Sequence, residues 1–245
     1  RIPTANFIMK PLLRLEYNRL QHYEKNLFNH FDNKTIISSP DRDYISHPER
    51  EKIHIVPNGV DSKFFTPGKN TVTHELIFTG NMGYPPNVDC AEYLVNKVLP
   101  IIHLTHPHIR IMLAGASPHT RVKSLASEKV TVTGWVDDIR MCYSSAMVFL
   151  APMQIGTGLQ NKLLEAMSMR LPCITSSLCN AALGASPGTE ILVADTPEKV
   201  AADAINLLED QSFRSRVAEN GFYFSKRNFS WENATEKLAD LFRKN

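Results

Sequence analysis

Long apolar runs are missing from this 245-residue chain. No stretch of about 18 apolar residues occurs and no charged-then-apolar leader opens the sequence, so neither a membrane-spanning helix nor a signal peptide is expected. Cysteine is scarce: Cys90, Cys142, Cys173 and Cys179 form no C-x-x-C pair and lie in mainly apolar runs. Disulfides and zinc are therefore not expected, and a reducing cytoplasm fits best. An excess of one charge is also lacking, because 27 Lys+Arg stand against 25 Asp+Glu. That balance excludes a polybasic field for nucleic acid or an anionic membrane, and any bound anion must be held locally. Internal repeats and low-complexity tracts are absent.

What is present is an ordinary globular composition, 43% hydrophobic and 21% charged, long enough for one large domain or one domain plus part of another. The first residue is Arg1 rather than Met, so the sequence is expected to begin inside a longer polypeptide. Residues 11–31 place Leu12, Leu15, Leu20, Tyr23, Leu27 and Phe31 at helical spacing among charges, which predicts an amphipathic helix. A strand-like TIISS at 35–39 follows, then a strand ending at Pro57 and an Asn58-Gly59 turn. From there strands are predicted at 75–80, 109–115, 129–134, 147–152, 172–176 and 190–194. Helices are predicted from about 87 and at 118–127, 138–145 and 159–169, with three more closing the chain. Such alternation predicts an α/β fold with a doubly wound parallel sheet, whose ligands bind beyond the carboxyl ends of the strands.

Three of these strands end in glycine turns: Gly80-Asn81-Met82-Gly83, Gly115, and Pro152 leading to Gly156-Thr157-Gly158. Each alone is ordinary turn chemistry, but convergence at one sheet edge would let backbone N–H groups approach a diphosphate at a helix N-terminus. Glu165, expected about two turns into the helix that starts near Gly158, could accept hydrogen bonds from a ribose diol or be a solvated or salt-bridged helix residue. Lys162 lies three residues earlier on nearly the same face, and could pair with Glu165 or reach a phosphate. Asp137 and Asp138 precede a helix, and N-capping accounts for them. The cluster His103, His106 and His108 is interrupted by Pro107 with no carboxylate nearby, which reads as a surface helix end rather than a metal site. No Ser-His-Asp or Cys-His arrangement can be assembled.

Taken together, VPNGVD (56–61), FTGNM…PPN (78–87), VTGWVDDIR (132–140), LAP (150–152), GTGLQNKLLEAMSMRLPCITS (156–176) and FSWE (229–232) resemble glycosyltransferase family 4. The similarity is to its exopolysaccharide-associated sugar transferases and runs from about residue 14 to 242. The resemblance implies a two-domain GT-B architecture. Residues 1–52 would close the N-terminal acceptor domain and linker, 53–228 would form the Rossmann-like nucleotide-sugar-binding domain, and 229–245 a helix returning toward the N-terminal half. It further implies donor contacts at Gly80, Asn81 and Met82, at Gly134, Trp135 and Val136 beside the base, and at Thr157, Gly158, Leu159, Gln160 and Asn161 around the diphosphate. Glu165 would hold the ribose.

The activity so implied is retaining transfer of a sugar from a nucleotide-diphosphate sugar to a glycan or lipid-linked acceptor in surface polysaccharide synthesis, with no metal and no further cofactor. The enzyme would be cytoplasmic, with room for a peripheral contact at the inner face of the membrane through its N-terminal half. These residues alone would bind donor without transferring sugar. A GT-B nucleotide-sugar epimerase and a non-catalytic nucleotide-sugar-binding module are the alternatives. Two departures from the family pattern matter. Thr157 stands where an acidic residue usually contacts the donor sugar, and Asn81 and Pro86 stand where Arg and Lys are common. Lys162 is then the expected source of phosphate charge, acting on the leaving group.

Overall fold

A computed structural model describes residues 7, 9–68, 71–156 and 158–243. The N-terminal segment carries helix α1 (Lys10–Phe28), strand β1 (Thr35–Ile36), helix α2 (Ser39–Asp43) and strand β2 (His54–Ile55), with β1 and β2 paired in parallel. The expected TIISS strand stops after Ile36 because Ser38 becomes a helix cap: its Oγ accepts from the Asp41 amide, and Pro40 follows in the first turn of α2.

The remainder alternates as the apolar pattern predicts. In chain order come β3 (His74–Thr79), α3 (Pro85–Tyr93), α4 (Leu99–His103), β4 (Ile111–Ala114), α5 (Thr120–Lys123), β5 (Val130–Gly134), α6 (Ile139–Ser144) and β6 (Ala146–Ala151). They are followed by α7 (Asn161–Ser168), β7 (Cys173–Thr175), α8 (Ser177–Leu183), β8 (Leu192–Val193), α9 (Pro197–Glu209), α10 (Gln211–Asn228) and α11 (Trp231–Arg243). A π-helical turn at Leu94–Val98 joins α3 to α4.

Two expectations are corrected. The stretch before β8 is not a plain loop, because Ser176 caps the extra helix α8 and Gly184 ends it in the left-handed conformation. Helix α7 starts at Asn161 rather than near Gly158, with Gln160 as an extended N-cap residue that supplies no side-chain cap.

The six strands β3–β8 form one parallel sheet in the order β5-β4-β3-β6-β7-β8. Its central strands are buried along their length: Leu76, Ile77 and Phe78 on β3, and Val148, Phe149, Leu150 and Ala151 on β6, are at most 1% exposed. Both faces must therefore be covered, as in a doubly wound fold. Successive strands leave β3 in one direction and β6 in the other, so the topology reverses between these two neighbours. The carboxyl ends of β3 and β6 consequently splay their following turns apart and open a crevice. At the other end of the chain, Val60 N–H donates to Phe229 O, the Gly59 backbone lies against Trp231, and Asn33 donates to Leu241 O. These contacts tie α11 to the N-terminal segment.

Candidate functional site

The crevice is a cavity of about 540 Å³ over the ends of β3, β4 and β5, closed on one side by α7. Its floor comes from two interlocked turns. The Gly80 amide donates to Ala114 O and the Met82 amide to Ala116 O, which carries the pairing of β3 with β4 beyond the strands. A Cβ on Gly115 would lie 1.9 Å from Gly80 O, and both glycines hold positive φ, +141° and +155°. Only glycine fits at either place. Bare backbone thus forms the surface where β3 and β4 end.

Helix α7 presents the charged groups. Its apolar stripe of Leu163, Leu164, Ala166 and Met167 is buried against the sheet and α10, which turns Lys162 and Glu165 toward the cavity. Glu165 is the fifth helical residue, just over one turn in, and Lys162 the second. Tyr143, fully buried on α6, donates to Glu165 Oε2 at 2.8 Å and shares a hydrogen bond with Thr79 Oγ1, also at 2.8 Å. Burial pushes the Glu165 carboxyl above its ordinary value, while the Tyr143 hydrogen bond and the Lys162 charge draw it back. Burial lowers Lys162, partly offset by nearby thiols and Glu165. The Lys162 ammonium donates to Asn87 Oδ1 and lies 4.7 Å from the centre of the Phe78 ring. Of the two partners considered for Lys162 from sequence, Glu165 is not bonded to it directly: Glu165 is held by Tyr143, and the ammonium lies at the cavity lining.

The far wall is the turn after β5. Trp135 is 75% exposed and stands at the mouth beside Val136 and Asp137. Asp138 caps α6 through the Arg140 amide, as its position predicts, and also grips the Arg140 guanidinium with both oxygens. That contact holds the Asp138 carboxyl below its usual range. Arg140 in turn lies 3.9 Å over the Phe64 ring and donates to Phe64 O. Phe64 is thereby fixed as part of the lining.

Of the expected site residues, Gly80, Asn81, Trp135, Val136, Leu159, Asn161, Lys162 and Glu165 line this one cavity. Gly134, Gly158 and Gln160 are not among the lining residues. Gly158 sits beside the Asp41 carboxylate of α2, and Gln160 Nε2 donates to Gly158 O. Met82 is corrected: its side chain is fully buried, its amide is taken by Ala116 and its carbonyl by His119. Thr157 lies outside the described residues. Sequence reasoning missed Phe64, Thr79, Asn87, Ala116 and Ile139 as lining residues, and read Asp137 and Asp138 as caps only. His103 bonds Ile109 O and His106 bonds Glu209, far from the cavity. Among the described residues no group of three His, Cys, Asp or Glu is placed to hold a metal ion, the four cysteines are free and buried, and no helix is long and apolar enough to cross a membrane.

The family model described as Glycosyl transferases group 1 matches residues 73–210, more than half of the chain. The chain belongs to that family. A mannosyltransferase of Corynebacterium glutamicum, GDP-mannose-dependent and acting on monoacylated phosphatidylinositol monomannoside, is 25% identical to this glycosyltransferase-family chain over 213 residues. The match covers 77% of the chain and 55% of the relative. An uncharacterized 44.6 kDa protein in the cps region of Klebsiella pneumoniae is 22% identical over 179 residues, 69% of the chain and 45% of that protein. The chain thus spans about half the length of the curated relatives it matches. Among solved structures, Anabaena HepE in complex with UDP and glucose superposes with a TM-score of 0.77 at 13% identity, over 92% of this chain and 67% of its own. The glycosyltransferase fold is therefore the GT-B fold of such enzymes.

Proposed function

We propose that this chain supplies the donor-binding half of a retaining glycosyltransferase, which moves a sugar from a nucleoside diphosphate to a glycan or lipid-linked acceptor in surface polysaccharide synthesis. One observation carries the reading: bare glycine backbone, a half-buried ammonium and a half-buried carboxylate converge at the sheet's switch point in one cavity. Each offers what a different part of the donor needs. The diphosphate would lie over the Gly80 and Gly115 turns and before the uncapped start of α7, near Lys162, because amides and a cation offset the charge that develops on a leaving phosphate. Glu165 would accept from the ribose hydroxyls, and the turn of Gly134, Trp135 and Val136 would flank the base. Thr157, Gly158, Leu159, Gln160 and Asn161 would contact the diphosphate and sugar.

Relatives support the wider role. One acts with GDP-mannose on a lipid-borne acceptor and another is named for a cps region. Because the chain spans about half of each, residues 1–52 are proposed as the end of an acceptor domain, 53–228 as the donor domain and 229–245 as a helix returning to the first. Transfer would need the acceptor half, in a cytoplasmic enzyme able to touch the inner face of the membrane. A thermal-shift screen of UDP, GDP and their sugars tests donor binding, since a ligand at 100 times its Kd stabilises a fold by about 2.7 kcal/mol. Stabilisation by at least one nucleoside diphosphate is expected. No response to any of them would overturn the assignment.

A further inference from the structure

Asn87 is 6% exposed and lies in the first turn of α3, against the Gly80 turn. Its side-chain amide is used at both ends. Nδ2 donates to Asn81 O at 2.9 Å, which fixes the orientation of the group and leaves Oδ1 facing the Lys162 ammonium. Turning the amide over would set N–H donors against an ammonium that has only donors. The space for this pair exists because Gly80 lacks a side chain: a Cβ there would stand 2.7 Å from Asn87 Nδ2 and 3.2 Å from Lys162 Nζ.

The groups that hold this ammonium are therefore neutral, an amide oxygen and the face of the Phe78 ring. Glu165, on the same helix face, bonds Tyr143 instead. A carboxylate at position 87 could also accept from Lys162, but it would cancel the charge and would lose the donor that Nδ2 offers to Asn81 O. An amide orders the long side chain and leaves the charge available. With one of its three N–H groups on Asn87 and the ring occupying a second direction, Lys162 keeps a donor toward the cavity, over the bare backbone of the Gly80 turn.

We propose that Asn87 is a positioning residue, which aims the Lys162 ammonium at a diphosphate without neutralising it. The inference rests on the donor-site reading above and adds to it the group that makes Lys162 effective. Asn87→Ala frees the ammonium to wander, so UDP and GDP affinity by calorimetry should fall roughly three- to tenfold, the scale of one lost hydrogen bond, while uridine and guanosine affinity stays unchanged. Asn87→Asp converts the contact to an ion pair, and diphosphate affinity should fall further than with alanine. In a Lys162→Met background, Asn87→Ala should cost nothing more, because the two residues act as one unit.

The arms separate the possible failures. If Lys162→Met itself leaves diphosphate affinity intact, the underlying donor-site reading fails. If Lys162→Met weakens it but Asn87→Ala and Asn87→Asp do not, the role of Asn87 is overturned and the donor site stands. Equal losses for nucleoside and diphosphate, or equal losses in both backgrounds, would make Asn87 a structural residue and also overturn the proposal. Should Asn87→Ala fail to fold, Asn87→Asp, which keeps size and acceptor, decides the question by the same criteria.

Discussion

Tyr143 donates its single proton to Glu165 Oε2 from a ring that has no solvent exposure, and Thr79 Oγ1 must then donate to Tyr143 in turn. The direction of this chain follows from the carboxylate, which when ionised can only accept. One face of Glu165 is thus satisfied from inside the protein, and its other oxygen is left toward the cavity.

Removing the hydroxyl should be felt in the ligand rather than only in the fold. Tyr143→Phe is expected to raise the Glu165 pKa further, because the hydrogen bond that draws it down disappears and burial acts unopposed by it. Ribonucleotide affinity should then be lost at a higher pH than in the parent as the solution is acidified. Calorimetric titrations of UDP or GDP across pH 5 to 8 check this, and an unmoved midpoint would separate Tyr143 from the site.

Glu165→Gln should stabilise the ligand-free chain near neutral pH while weakening ribonucleotide binding by about 1.5–3 kcal/mol, the scale of hydrogen bonds to a charged group. The sign follows from linkage. A carboxyl raised above its ordinary 4.5 contributes stability that is present below that value and is lost as pH rises through the raised one, so the glutamine variant gains above and not below. Thermal melts at pH 4 and pH 7.5 test the first half and calorimetry the second. Lower stability with unchanged affinity would mark Glu165 as structural.

Lys162→Met keeps the apolar stem over Phe78 and deletes the charge. Diphosphate binding should weaken by tenfold or more, about 1.4 kcal/mol, with the nucleoside much less affected. Because burial depresses the Lys162 pKa, the charged form opposes folding, and the methionine variant should also melt higher without ligand. Equal losses for both ligands would detach Lys162 from the phosphates.

Trp135 is largely exposed at the cavity mouth, so Trp135→Ala should leave the melting temperature almost unchanged. If its ring flanks the base, nucleoside and nucleoside diphosphate should lose the same amount of affinity. Loss confined to the diphosphate would place the base elsewhere.

The fold was legible because β3 and β6 are short, mainly apolar runs bounded by turns, which leave little but buried parallel strands as their solution. Helix α8 was not, since SLCNAAL is short and begins with the residues that also make loops. The start of α7 was placed early because Leu159 continues the apolar spacing, while the extended backbone of Gln160 carries no sequence mark. Lys162 and Glu165 were legible from their spacing on one helix. Asn87 and Phe64 were not. Each looks like an ordinary residue in its own segment, and each enters the site only through a partner distant in sequence, Lys162 for one and Arg140 for the other. Met82 misled because it follows the Gly80 turn as a ligand-facing residue would, yet it faces the core.

The reversal between β3 and β6 also bears on how the cavity comes into being during folding. These neighbours pair residues about 70 positions apart, His74 with Ala146 and Leu76 with Val148. Closing so long a loop is entropically costly and slow compared with the shorter closure that joins β3 to β4. Each half of the sheet can gather its own strands, but the glycine turns and α7 face one another only after the halves meet. Competence to bind nucleotide should therefore be among the last properties the chain acquires on refolding, and among the first it surrenders when the central strands part.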